Sequence, residues 1–215
     1  MSRAICIMGE SGSGKTTAMR TLNPEETYYI DCDGKGLSWK GWRSQYNAEK
    51  KNYLRSDDQN EIREIMAGIS QKRPNIKNII IDTINSVMVA DERRRINEKN
   101  YDKWADLAWA VFDITRLASM LRDDMNIIMI AHTQTETDDI TGERFTRILT
   151  NGKKLNKIGL EKYFTTVLLS KRTSDGAFVF ETKANSSTAK SPLGCFESDT
   201  IPNDMQAVLD ALKEF

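Results

Sequence analysis

Apolar positions along the chain fall into two alternating patterns. Short unbroken runs rich in Ile, Tyr and Met read as strands covered on both faces, which have no polar side to show. Such runs occupy Arg3–Met8, Thr27–Asp31, Lys77–Asp82 and Asn126–Ala131. Between them lie segments of helical period. Lys15–Leu22 follows the first run, Asn60–Arg73 sets Ile62, Ile65, Met66 and Ile69 on one face before Pro74, and Trp104–Arg122 carries Leu107, Ala108, Val111, Phe112, Ile114 and Leu121. Further on, Tyr163–Ser170 and Ala177–Lys183 read as two strands joined by a turn at Ser174-Asp175-Gly176. Asn203–Phe215, with Met205, Val208, Leu209 and Leu212 on one face, reads as a terminal helix. Thr133–Asn151 has little apolar periodicity and reads as a polar connection. Strands alternating with helices predict an α/β protein, with a mostly parallel central sheet flanked by helices and an antiparallel C-terminal extension.

Composition narrows the class. At 215 residues without repeats, low-complexity tracts or a Pro/Gly/Ser linker, the expectation is one domain over residues 1–215. Lys plus Arg and Asp plus Glu are equal at 31 each, which argues against a generally basic nucleic-acid coat while leaving room for a local basic patch. A mean hydropathy of −0.54 and apolar runs of about five residues predict no membrane-spanning helix, which needs roughly 20. The N-terminal segment is too poor in apolar residues for a signal peptide. Cys6, Cys32 and Cys195 are odd in number and lack metal or disulfide spacing, so a reducing, cytoplasmic setting is expected.

One segment carries recognisable chemistry. Gly9-Glu10-Ser11-Gly12-Ser13-Gly14-Lys15-Thr16 matches G-x-x-x-x-G-K-[ST] in full, directly after an apolar strand and at the opening of a helix. Its glycines let backbone N–H groups turn inward around a β-phosphate, and the helix N-terminus adds partial positive charge. Lys15 is expected to bridge the β- and γ-phosphates and the Thr16 hydroxyl to ligand Mg²⁺. Gly9 to Thr17 are thus the candidate residues for ATP or ADP. Asp82 ends the Ile-rich run Asn78–Asp82 with the hard oxygen donor that Mg²⁺ prefers, and joins Thr16 as a metal residue acting through water. Thr27–Asp31 leads into Cys32-Asp33-Gly34. A carboxylate ending the strand beside the P-loop strand is placed to orient or deprotonate an attacking water. Asp33 is the first candidate and Asp31 the second.

These elements in this order resemble the RecA-type ATPase core. The chain is similar, more closely, to small phage RecA-like proteins described as single-strand annealing proteins of the fourth Sak class. That similarity lies in the P-loop near the N-terminus, Tyr29–Leu37 (YIDCDGKGL), Ile81–Asn85 (IDTIN), Ala131–Gln134 (AHTQ) and Asn185–Phe196 (NSSTAKSPLGCF), and spans Ala4 to Phe196. The resemblance implies a RecA-like P-loop core and ATP-dependent binding of single-stranded DNA. It also implies annealing or strand exchange in concert with a host single-strand-binding protein, in the cytoplasm of a bacterial host. By the same resemblance His132 or Gln134, at the end of the fourth strand, senses the γ-phosphate. Lys183 and Lys190 would reach the γ-phosphate of the next subunit in a homo-oligomer, ring or filament, and neutralise charge developing in the transition state. Where larger recombinases carry Glu as the water-orienting acid, this chain has Asp33, one methylene shorter, so slow turnover is expected.

The long polar stretch Thr135–Asn151 is the candidate DNA loop. Arg144, Arg147 and the following Lys153 and Lys154 offer phosphate contacts, and Phe145 a stacking surface, against the acidic Asp138, Asp139 and Glu143. Ser38–Arg43 interleaves Trp39 and Trp42 with cations, which suits base stacking or a helix edge that buries two rings. Arg93–Arg95 reads as a solvated helix face. Two other functions suit a P-loop. A small-molecule kinase would need an Arg-rich lid, for which Thr135–Asn151 is the best segment. A nucleotide-switched adaptor would bind ATP with negligible turnover.

Overall fold

The computed structural model of the chain describes residues 1–98, 111–137, 140–150 and 159–215. Among the described residues the centre is a nine-stranded mixed sheet. The strands are β1 (Arg3–Gly9), β2 (Thr27–Asp31), β3 (Tyr53–Arg55), β4 (Asn78–Asp82), β5 (Asn126–Thr137), β6 (Arg144–Ile148), β7 (Thr166–Arg172), β8 (Phe178–Glu181) and β9 (Thr200–Pro202). They run in the order β3-β2-β4-β5-β1-β7-β8-β9, with β6 paired to the outer half of β5. The pairs from β3 to β7 are parallel, whereas β7–β8, β8–β9 and β5–β6 are antiparallel. This is the α/β architecture with a parallel core and an antiparallel C-terminal extension that the apolar pattern predicts.

The apolar runs are continuous because alternate residues feed different cores. Cys6, Met8, Ile30, Ile79, Ile81, Ile127 and Met129 point to one side. There they meet Ile62, Met66 and Ile69 of α3 (Gln59–Lys72), Val87 and Met88 of α4 (Ile84–Arg94), and Val111 and Ile114 of a helical stretch, α5, at 111–118. Ile5, Ile7, Tyr29, Ile80, Ile128 and Ile130 point to the other side. They pack on Ala18 of α1 (Lys15–Ala18), on Trp42 of α2 (Trp42–Gln45), and on Met205, Val208 and Leu209 of α6 (Met205–Ala211). Burying each Ile removes roughly 1.5–3 kcal/mol of unfavourable water contact, so both faces hold the sheet. Helix α3 starts where Asp58 accepts the N–H groups of Asn60 and Glu61, and ends two residues short of Pro74.

Several expectations need correction. The helix expected over Lys15–Leu22 is α-helical only to Ala18, continues as a 3₁₀ turn at Met19–Thr21, and gives way to extended backbone at Leu22, ahead of Pro24. Strand β2 does not lie beside β1, because β4 and β5 intervene. The stretch Thr135–Asn151 is not a loop: its described part contains an antiparallel hairpin in which Gln134 pairs with Arg147 and Thr137 with Arg144. Trp104 to Ala110 of the expected long helix, and Lys153 and Lys154, lie outside the described residues. Among the described residues, no helix is long and apolar enough to cross a membrane.

Candidate nucleotide site

The carboxyl ends of the parallel strands bring the candidate residues to one edge. Gly9 is level with His132, Asp82 with Ile130, and Asp31 with Asp82. A cavity of about 350 Å³ opens there, lined by Ser11 to Thr17, Lys35, Ser38, Asp82, Thr83, His132 and Phe178.

The loop after β1 is shaped by glycine and by close packing. Gly14 has φ +94°, and a side chain there would strike Phe178 at 2.7 Å. A Cβ on Gly9 would sit 2.6 Å from the Ser170 carbonyl. Three side chains brace the turn: Ser170 donates to the Ser13 carbonyl at 2.7 Å, Asn203 to the Gly14 carbonyl at 3.3 Å, and Arg20 reaches the Asn203 carbonyl at 3.3 Å. Lys15 is buried, and its ammonium curls back onto the carbonyls of Gly9 and Glu10 at 2.8 and 2.7 Å. Burial, aided by the nearby charge of Lys35 and opposed by Asp82, lowers its pKa to about 8. The Glu10 side chain is exposed. Thr17 bonds Ser38 at 3.0 Å.

Asp82 is the best-built acid of the site. One carboxylate oxygen accepts from the Thr16 hydroxyl at 2.7 Å and from the Tyr29 hydroxyl at 2.6 Å. The other, Oδ1, is buried without a hydrogen-bond partner. Burial raises the pKa of Asp82, against the hydrogen bonds from Tyr29 and Thr16. A divalent cation beside Thr16 would give the orphaned oxygen a partner, directly or through water, and would favour the charged carboxylate. The donor set therefore fits Mg²⁺. The peptide bond between Asp82 and Thr83 is cis.

The two acids after β2 divide their tasks. Asp31 is 2 % exposed and clamps its own turn: its oxygens accept from the Gly34 and Gly36 N–H groups at 2.9 and 2.8 Å and from Tyr53 at 2.7 Å. Asp33 stands over the cavity edge, accepting from Thr83 at 3.0 Å and Ser86 at 2.5 Å and ion-paired with Lys35. Burial works to raise its pKa, but the hydrogen bonds from Lys35, Ser86 and Thr83 outweigh it and hold the carboxyl at about 2. Asp33 also lines a wider cleft of about 700 Å³ with Asp57, Asn85, Ser86, Arg93, Arg94 and His132. Arg94 is ion-paired with Asp57 and Asp58.

His132 borders both cavities, and burial together with the Lys15 charge lowers its pKa, keeping the imidazole neutral at pH 7. Gln134 lies two residues out on the hairpin, with its amide on Glu136 at 2.8 Å. The His132 N–H donates to the Asn85 side chain at 2.7 Å, the Asn85 amide donates to the Leu149 carbonyl at 2.7 Å, and the Leu149 N–H returns to the His132 carbonyl at 2.8 Å. Asn85 thus ties the cavity edge to the root of the hairpin.

On the hairpin, Arg144 is exposed and Phe145 is 44 % exposed. Arg147 faces inward, its guanidinium 4.0 Å from both Glu136 and Glu161. Lys183 pairs with Asp199 at 2.6 Å, and the Lys190 backbone bridges to Val167, which is level with Cys6. Neither lysine lines the phosphate cavity of its own chain. Trp42 is buried with Arg43 over its ring, and Trp39 donates to Gln45, so both rings join the wall on the α2 side.

Sequence reasoning missed Lys35, Phe178, Ser170, Asn203 and Asn85 as parts of this site. Lys35 and Asn85 fall inside the segments YIDCDGKGL and IDTIN, so position relative to the strand ends could have found them. Phe178 and Asn203 come from the distant C-terminal extension and left no local signal.

A family model described as an AAA domain matches residues 1–192. No curated protein matches the chain.

Proposed function

Since the chain belongs to the AAA-domain family, a family of nucleotide-binding ATPases, we propose that it hydrolyses ATP at the P-loop and couples turnover to single-stranded DNA. The observation that carries the reading is the meeting in one cavity of Lys15, the Thr16–Asp82 pair with its orphaned oxygen, and His132, with Asp33 at its edge. In this reading the loop N–H groups and Lys15 hold the β- and γ-phosphates, while Thr16 and Asp82 hold Mg²⁺. Held there, the metal would supply positive charge to offset that of the phosphates.

Asp33 aligns a water with the γ-phosphorus. The water oxygen bonds to phosphorus, the bond to the β–γ bridging oxygen breaks, and the proton passes to solvent or phosphate, leaving ADP and inorganic phosphate. His132 donates a hydrogen bond to the γ-phosphate, and the Asn85 bridge carries its position to the hairpin, where Arg144 and Phe145 meet the nucleic acid.

The annealing role, a host single-strand-binding partner and a homo-oligomeric form belong to the same proposal. The cleft beside Asp33 favours one second reading, a kinase whose acceptor would sit there. Lys15→Ala tests the core of the proposal. It should abolish nucleotide binding or turnover while the thermal unfolding curve stays cooperative, and a near-normal rate in the folded variant would refute it.

A further inference from the structure

The segment after β2 carries a second ammonium into the phosphate cavity. Lys35 lines the same space as Gly12 to Thr16 and Asp82. Its backbone is not a slack loop. Gly34 and Gly36, at φ +69° and +81°, flank it, and the buried Asp31 carboxylate accepts the N–H of each. A side chain at Gly36 would strike Trp42 at 2.8 Å, so the pedestal is closed from beneath as well. The side chain, in contrast, is 55 % exposed on a flexible four-carbon stem, and its ammonium pairs with Asp33, whose own side chain is 13 % exposed. The described residues that line the cavity include two cations, Lys15 and Lys35, and one acid, Asp82, while Asp33 pairs with Lys35 at its edge. A triphosphate adds negative charge that a mobile ammonium is well placed to meet. Lys35 also helps to lower the pKa of Lys15, which puts the two ammonium groups in one electrostatic field.

We propose that Lys35 is a second phosphate-reading cation supplied by the same chain, exchanging its ammonium between Asp33 and the terminal phosphate of a bound nucleoside triphosphate. The inference rests on ATP being the ligand of this site. When Lys35 turns to the γ-phosphate, Asp33 loses its ion pair and its freed oxygen can hold the water. Lys35 makes and breaks no covalent bond. It reports that a third phosphate is present and offsets charge on it as the bridging bond opens. One chain then supplies two ammonium groups to the phosphates, Lys15 and Lys35.

The test compares wild type, Lys35→Ala and Lys35→Arg by titration calorimetry with Mg²⁺–ADP and with the Mg²⁺ complex of a β,γ-imido ATP analogue, alongside phosphate release. Lys35→Ala should lose about 10–100-fold in affinity for the analogue, the usual effect of one charge-assisted hydrogen bond, and stay within about twofold for ADP. Its kcat should fall about 10²–10³-fold. Lys35→Arg should restore the preference for the triphosphate. Equal losses for ADP and analogue would mean that Lys35 only supports the pocket, and an unchanged ratio would remove it from phosphate recognition; either overturns the proposal. A wild-type protein that binds neither nucleotide would instead overturn the ATPase reading, and this inference with it.

Discussion

At the scale of single residues, the two acids after β2 show how neighbours in sequence come to do different work. Asp31 is buried and its hydrogen bonds go to its own turn and Tyr53, whereas Asp33 pairs with Lys35 and lines the wider cleft. Asp33→Asn should therefore keep nucleotide affinity and cut turnover by about 10²–10⁴-fold, as for other water-orienting groups. Asp31→Asn should cost about 1–3 kcal/mol of stability by leaving a buried donor unmet, with the smaller effect on turnover per folded molecule. The reverse order would make Asp31 the acid. Acid unfolding separates the roles further. With its pKa at about 2, below the ordinary 3.8, Asp33 adds stability that is fully present above about pH 4 and fades as pH falls toward 2. The stability deficit of Asp33→Asn should narrow over that window, and a deficit constant with pH would show that the carboxylate is not held down by its partners. The choice between the two acids was not legible in the sequence, since both lie in the short segment from the strand end to Gly34. The difference lies in which oxygen meets the Gly34 and Gly36 N–H groups, a three-dimensional fact.

At the scale of elements, legibility followed burial. Strands β1, β2 and β4 announce themselves because both faces are covered, so their charged and amide residues stand only at the strand ends. The β5–β6 hairpin was hidden for the opposite reason. Thr133, Thr135 and Thr137 alternate as strand residues should, yet its outer half is exposed on both faces and shows no apolar period. The root of the hairpin is fixed differently: Ile148 is buried and donates its N–H to Glu161 at 2.9 Å, and the Thr146 backbone pairs with Ser186 and Thr188. This division predicts different outcomes along one strand. Arg144→Ala with Phe145→Ala should weaken binding to single-stranded DNA and flatten its salt dependence. The slope of log K against log salt should change by about 0.7, the value of one DNA phosphate that Arg144 no longer neutralises. Arg147→Ala should loosen the hairpin from Glu136 and Glu161 and lower stability, with the smaller change in slope. Filter binding at several salt concentrations checks this, and equal slopes for both variants and wild type would place the DNA elsewhere.

At the scale of the whole molecule, the order β3-β2-β4-β5-β1-β7 gathers residues from distant parts of the chain at one sheet edge. Gly9, Asp33, Asp82 and His132 were each readable from a strand end, and their convergence follows from parallel pairing alone. What the sequence withheld is the C-terminal contribution, because Ser170, Phe178 and Asn203 reach the P-loop only after β7 pairs with β1 and β8 and β9 extend the sheet from it. The same architecture joins the phosphate cavity to the hairpin through His132, Asn85 and Leu149, so nucleotide and DNA should influence each other reciprocally. The most direct measurement is steady-state phosphate release from Mg²⁺–ATP by the purified full chain, with single-stranded DNA, with double-stranded DNA and with none. The account predicts measurable turnover that rises on adding single-stranded DNA and is lost in Lys15→Ala. Tight ATP binding with no phosphate release under any of the three conditions would contradict it, and would leave a nucleotide-switched adaptor in its place.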